Sequence, residues 1–341
     1  MSSSKTTDLD RAGSAGKQSF DIATRRRLLA ACGLFLAAPL VAEFLLGNMS
    51  ITHLGMLGVM APLYGGGALL IREAVRRARR GWSSIFILAL AYGILEEAFL
   101  TQSLFNPDFL AKHLHLLDSA YLPGLGIGAW YTVFVLTLHT VWSIPVPIAL
   151  IESLVPNEAE FSWLGRAGLG AVAAAFIAAC FSIAHFTTQA DPAHFFASRS
   201  QFGCSAVIIA ILITVAFALP RRPLRESGRI PHPAALGLGA FAAAIGFWLV
   251  PQDSGWWAVL AYCSIDALAA ALIWRWSRFE GWRAVHKLAL AGGAAMVYAI
   301  HAFIQTPSIG DAGTVARIGN LIFAALATAL IALGLKRTRV L

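Results

Sequence analysis

The sequence predicts an all-α polytopic membrane bundle of about ten transmembrane helices, with the N-terminus and C-terminus cytoplasmic. Three observations predict it. Of the 341 residues, 58% are hydrophobic and only 13% charged, where soluble domains carry roughly 25% charge. The apolar residues fall into runs close to the roughly 20 residues that a spanning helix needs. The basic residues lie in short clusters between those runs, as orientation signals do. The formal charge of +8 therefore reports topology, and the expected partner is the lipid bilayer with no nucleic acid.

Taken in order, residues 1–24 are rich in Ser, Gly, Lys and Asp, too polar to build a core, and are expected to be a disordered cytoplasmic tail. Residues 25–341 are expected to form the bundle. Arg25, Arg26 and Arg27 open the first span, 28–47, which reads as an uncleaved helix because the arginines leave no room for a signal-peptide apolar region before Cys32. Further runs lie near 51–71, 82–105, 129–154, 166–189, 202–219, 234–250, 256–274, 285–305 and 316–335. With the N-terminus inside, 23 of the 26 Lys and Arg residues fall on inner segments, and only Lys112, Arg199 and Arg317 fall outside. The connection 106–128 is broken by Pro107, Pro123 and three glycines and has the length of a lid. It also holds Asp108, His113, His115 and Asp118, either a metal-binding group or an ordinary solvated loop.

The residues that invite a chemical reading are the polar ones inside the spans. Glu96 and Glu97 sit in the run Ala91–Gln102, and a carboxylate at that depth costs several kcal/mol unless it faces a bundle interior or a wet cavity. A rise of about 1.5 Å per residue puts Glu96 about 21 Å from the inner start of its span and His139 about 22 Å from the inner end of the next. The two match in depth. His185 with Gln189, and His301 with Gln305, each form an i, i+4 pair on later spans. Such a set offers a carboxylate to take a proton from water and an imidazole to orient it, or ligands for a catalytic zinc drawn from Glu96, His139, His185 or His301. Asp266 is a further mid-span acid, read either as a proton or cation site or as the partner of a hydroxyl such as Ser264. Glu152, about 20 Å along the helix from His139, belongs to a different place, and Pro145 and Pro147 are expected to kink that span.

Glu96-Glu97, a histidine on the next span and His185-x-x-x-Gln189 on the one after resemble the CAAX protease and bacteriocin-processing (CPBP, Abi) family of intramembrane peptidases. The resemblance covers 82–190, leaving 202–335 as additional spans. It implies a hydrolase acting on a membrane-associated peptide, with Glu96 as base, Glu97 as its support, His139 orienting water, and His185 and Gln189 holding the oxyanion. A glutamate mechanism needs no cofactor; zinc is the alternative. Thr101 stands where the family has arginine, Val135 where it has phenylalanine, and Gln189 where it has Asn or Asp. Phe181 and His185 also fit the second motif, which makes His301 and Gln305 the third. Two rival readings stand beside this one: a transporter or channel with Glu96, Glu97, His139 and Asp266 as proton or cation sites, and a catalytically inactive scaffold. The expected location is a bacterial plasma membrane.

Overall fold

The computed structural model describes residues 3–109, 118–191, 194–220 and 226–339, with side chains from Asp21 onward. The chain is a helix bundle. In order it forms α1 (Ser3–Pro39), α2 (Leu57–Met60), α3 (Gly66–Arg77), α4 (Trp82–Leu95), α5 (Ala129–Leu138) and α6 (Pro145–Leu154). There follow α7 (Arg166–Ala190), α8 (Arg199–Ala218), α9 (Pro233–Trp248), α10 (Trp256–Ser277), α11 (Ala284–His301) and α12 (Thr314–Arg339). Two strands of two residues, β1 (Tyr121–Leu122) and β2 (Ile127–Gly128), pair antiparallel with Tyr121 opposite Gly128.

Eight helical segments are long and apolar enough to cross a membrane: Asp21–Leu45, Ile51–Arg77, Trp82–Leu100, Ala129–Leu154, Arg166–Ala190, Arg199–Ala218, Trp256–Ser277 and Thr314–Arg339. The expected count of ten is therefore eight by length and composition among the described residues. The other two runs are helical as well. α9 has 16 residues, about 24 Å at the helical rise and short of the roughly 30 Å hydrocarbon core. α11 carries His286 and Lys287 in its first turn and buries ten of its residues. The polar stretch from Ser3, expected to be disordered, continues as helical backbone into the first span, since extending an existing helix avoids the cost of nucleating one. Of the connecting loop, 110–117, which contains His113 and His115, lies outside the described residues.

Burial sorts the helices into an inside and a periphery. In Ala129–Leu154 and Trp82–Leu100, 72% and 67% of the central window is buried; in α7, α8 and α10 the figures are 6%, 11% and 11%. The inner helices carry the polar residues and the outer three present mostly apolar side chains outward, as a bundle surrounded by lipid must.

Four stretches of the inner helices widen from the α-helix into π turns: Leu40–Leu45, Ala61–Gly65, Glu96–Leu100 and His139–Ser143. Three of them abut a proline. Pro39 precedes the first, Pro62 lies in the second, and Pro145 follows the last across Ile144, whose φ of −117° is already off the helix. A proline removes one helical N–H and crowds the carbonyl four residues back, which is a recognised cause of such breaks. The carbonyl opposite Pro39 is that of Phe35, and Gly65 packs on it so closely that a Cβ there would fall 2.0 Å from the oxygen.

One end of the bundle is tied by buried ions. Arg72, with no exposed surface, donates to Glu152 at 3.0 Å, Glu73 at 3.1 Å and the carbonyls of Ala159 and Phe161, and its guanidinium lies 3.3 Å above the Trp163 ring. Arg76 meets both oxygens of Glu152 at 2.9 Å. Glu73 in turn accepts from the Trp163 N–H at 2.6 Å. These bonds hold α3, α6 and the segment 159–164 together. Glu152 does stand apart from the Glu96 site, and Arg72 and Arg76, from the basic cluster that follows the run 51–71, are core residues.

Removing one partner of a buried, hydrogen-bonded ion pair leaves an uncompensated charge and costs about 3–5 kcal/mol. Glu152→Ala is therefore expected to lower the thermal transition of the detergent-solubilised protein sharply. Glu160→Ala, which removes a carboxylate whose side chain is 70% exposed, is expected to shift it little; equal effects would show that the buried network does not hold this end.

Candidate functional site

The four π turns meet. Each brings one or two polar side chains to the same buried place: Glu43 from Leu40–Leu45, Tyr64 from Ala61–Gly65, Glu96 and Glu97 from Glu96–Leu100, and His139 from His139–Ser143. All five are at most 8% exposed. A π turn shifts the phase of the residues beyond it, so side chains on either side of the break can be aimed at one spot, and such turns recur at functional sites.

The contacts run in sequence across the bundle. The Asn48 amide donates to Glu43 Oε2 at 2.6 Å. The Tyr64 hydroxyl lies 2.6 Å from Glu43 Oε1 and 2.6 Å from Glu96 Oε1. Glu96 Oε2 lies 3.4 Å from His139 Nδ1, and His139 Nε2 lies 2.8 Å from Glu97 Oε1. Glu97 Oε2 accepts from the Thr101 hydroxyl at 3.0 Å and from the Ser103 hydroxyl. Ser143 Oγ sits 3.1 Å from His139 Nδ1. The imidazole is also held by rings, stacked on Tyr64 at 6.2 Å and 14° and edge-on to Tyr92 at 6.0 Å.

Two consequences follow from hydrogen counting. A phenol has one hydrogen, so Tyr64 can donate to only one of the two carboxyl oxygens beside it; for both contacts to be hydrogen bonds the other carboxyl must carry a proton and donate to the phenol oxygen. Glu97 Oε1 and His139 Nε2 share one hydrogen at 2.8 Å, while Nδ1 of the same ring faces Glu96 Oε2 at 3.4 Å. Within this cluster, Glu96 Oε2 and the Tyr92 hydroxyl are buried atoms with no hydrogen bond among the described residues. They lie one helical turn apart on α4 and its π extension.

Glu96, Glu97 and His139 each present a ligand atom within 4.8 Å of the others. Two carboxylates and an imidazole suit a divalent transition ion such as zinc. The donor trio fits a metal, but with Glu97 in place of the second histidine expected from the sequence.

That second histidine lies elsewhere. His185 and Gln189 are exposed on α7, so the oxyanion role implied for them has no geometry here. The reason is angular. Thr187 is the buried residue at that level and donates to the Leu100 carbonyl at 3.1 Å, and positions two before and two after it point to the far side of the helix. His301 packs on the Trp248 ring at 3.8 Å and is not one of the residues grouped with Glu96. Its neighbour Gln305 does reach toward the cluster, through Asn48 at 3.5 Å. Asp266 accepts from a hydroxyl across a helix interface, but from Thr137 at 2.6 Å rather than Ser264.

Glu43 and Tyr64 were not singled out from the sequence. Glu43 had a signal: it is a lone acid in the apolar run 40–46 and carries the same cost of burial as Glu96. Tyr64 had none beyond its place between Pro62 and Gly65.

Gly93 fits α4 against the site. A Cβ there would lie 2.9 Å from the His139 Cβ, so Gly93→Ala is expected to cost about 1–3 kcal/mol by overpacking. Gly170→Ala on α7, with nothing within 4 Å, is expected to leave thermal stability in detergent unchanged or slightly raised. Equal stability of the two variants would mean that helix packing does not set the position of His139.

No curated protein and no solved structure matches the chain. Residues 34–338 match the model of a family described as an uncharacterized membrane protein family, and the chain belongs to that family.

Proposed function

We propose that the buried Glu96–His139–Glu97 group activates water for hydrolysis inside the membrane, acting on a membrane-associated peptide as the resemblance to the CPBP peptidases implies. The observation that carries this reading is the placement of His139 between two carboxylates, one on each ring nitrogen. Glu97, held by Thr101 and Ser103, is a positioning residue that sets the tautomer and orientation of the imidazole, in the manner of the third member of a catalytic triad. Glu96 Oε2 is the base that takes the proton of the water, and His139 Nδ1 orients that water. The Tyr64 and Tyr92 hydroxyls are the nearest donors to a developing oxyanion and stand in for His185 and Gln189. A divalent ion held by Glu96, Glu97 and His139 would supply Lewis-acid polarisation of water or carbonyl.

A second reading has its own support. Glu43, Tyr64 and Glu96 form a chain that requires a shared proton, and carboxyl–tyrosine–carboxyl–imidazole sequences suit proton or cation sites in transporters. The chain of contacts reaches from one end of the bundle, where Asn48 follows the first span and Thr101 the third, only to the middle of the second and fourth spans at Tyr64 and His139. That is the arrangement of a pocket rather than of a path across the membrane, and it ranks the hydrolase first.

The test is incorporation of oxygen from ¹⁸O-labelled water into new peptide C-termini in membranes containing the protein, read by mass spectrometry. The wild type is expected to generate labelled termini. Glu96→Gln and His139→Ala should lose them by about 10²–10⁴-fold, the range for a general base, while eluting as folded protein, and His185→Ala should retain them. Absence of labelled termini with the wild type, together with proton or cation flux in liposomes that Glu43→Gln and Glu96→Gln abolish, would replace the hydrolase by the transporter.

A further inference from the structure

A basic concavity lies away from the Glu/His site. A cavity of about 450 Å³ opens where the first turns of α9 and α11 meet the last turn of α12, lined by His232, Arg283, His286 and Arg339 at its polar side and by Val285 and Leu335 among its apolar wall residues. No Asp or Glu is among the described residues lining it. Its volume is that of a small-molecule site.

Three features make it suited to an anion. α9 begins at Pro233 and α11 at Ala284, so two helices point the positive ends of their dipoles at the cavity. The third, α12, ends there, and its opposing dipole is countered by Arg339 in its last turn. Both imidazoles are engaged at Nδ1, where His232 accepts from the Ala234 N–H at 3.2 Å and His286 from the Arg283 N–H at 3.1 Å. Each ring therefore carries its hydrogen on Nε2, as a donor. His286 is 6% exposed and its ring stacks on Trp282 at 5.2 Å and 18°, so it is a fixed part of the wall, while Arg283 and Arg339 are exposed at the rim.

We infer that this cavity binds a phosphate group, presented by an anionic phospholipid. The phosphate sits between Arg283 and Arg339, within reach of the two imidazoles, and the apolar wall formed with Val285 and Leu335 takes the first carbons of the acyl chains. Basic pockets between the ends of spanning helices are where headgroups of anionic lipids bind. Lys287, on the same helix, lies 4.0 Å from Glu160 and over the Trp82 ring at 5.4 Å, which places the pocket at the end of the bundle that the buried arginines tie.

The test is native mass spectrometry of the full chain in detergent with dioleoylphosphatidylglycerol or dioleoylphosphatidylcholine, with thermal stability in inorganic phosphate measured alongside. Adducts of phosphatidylglycerol are expected to exceed those of phosphatidylcholine at least tenfold, and Arg283→Ala with Arg339→Ala to bring them level. Both arginines are exposed, so the double variant should elute as the wild type does. Leu335→Trp, which narrows the apolar wall, should lower the lipid adducts and leave any effect of phosphate intact. Protection by inorganic phosphate that the double variant loses, without a preference between the lipids, identifies the same site with a soluble source of phosphate. Lipid preference and phosphate protection both unchanged in the double variant would overturn the inference.

Discussion

A carboxylate taken out of water must find hydrogen-bond donors or give up its charge, and among its described residues this chain buries five glutamates in an apolar bundle: Glu43, Glu73, Glu96, Glu97 and Glu152. The structure solves the problem twice, with different chemistry. Glu73 and Glu152 receive two arginines that never leave the charged state, in a closed network with backbone N–H groups and carbonyls completing it. Glu43, Glu96 and Glu97 receive a phenol, an imidazole, an amide and two hydroxyls. Arginine makes a fixed tie. Tyrosine and histidine make a place where protons can be exchanged, which is why the first cluster reads as structure and the second as chemistry.

The backbone carries the mark of the second solution. Side chains from four helix segments converge on one spot only because each segment is opened into a π turn there, and the sequence encodes three of the four openings with Pro39, Pro62 and Pro145. The fourth, at Glu96–Leu100, ends where Gln102 takes a φ of +55°, a left-handed conformation that a residue with a side chain adopts at some cost. Gln102 repays it by accepting from the Ala197 N–H at 2.8 Å. Irregular backbone of this kind is tolerated at membrane depth where neighbouring protein covers it, and here the inner helices do so.

Depth was legible in the sequence and direction was not. Counting residues along a span gives an axial coordinate, and on that coordinate Glu96 and His139 were correctly matched. His185 was placed by the same kind of reading, yet it faces outward, because the bearing of a side chain around the helix depends on which face is buried, and α7 is apolar all round. Its few polar residues give no vote. The π turns compound the difficulty, since a helical wheel drawn at 100° per residue loses its phase at each of them. Glu43 is illegible for another reason: a lone acid in the first span carries the same burial cost as the acid pair in the third but forms no motif with its neighbours. Eight of the expected spans have the length and composition to cross a membrane, while α9 is a shorter apolar helix and α11 carries His286 and Lys287 in its first turn.

The π turns also bear on how this chain can change in length. Each holds one residue more than an α-helix would need, so loss of a single residue within Glu96–Leu100 has a regular α-helix available as its result, with the residues beyond it kept in phase. Glu96 and Glu97, which both reach His139 from within the wide turn, would then no longer both face it. Elsewhere in a membrane helix a deletion mainly shortens the span; here it would leave the span intact and dismantle the cluster. Fitness for folding and fitness for chemistry are thus separable at these four positions, and a shortened descendant of this chain would be a sound membrane protein without a site.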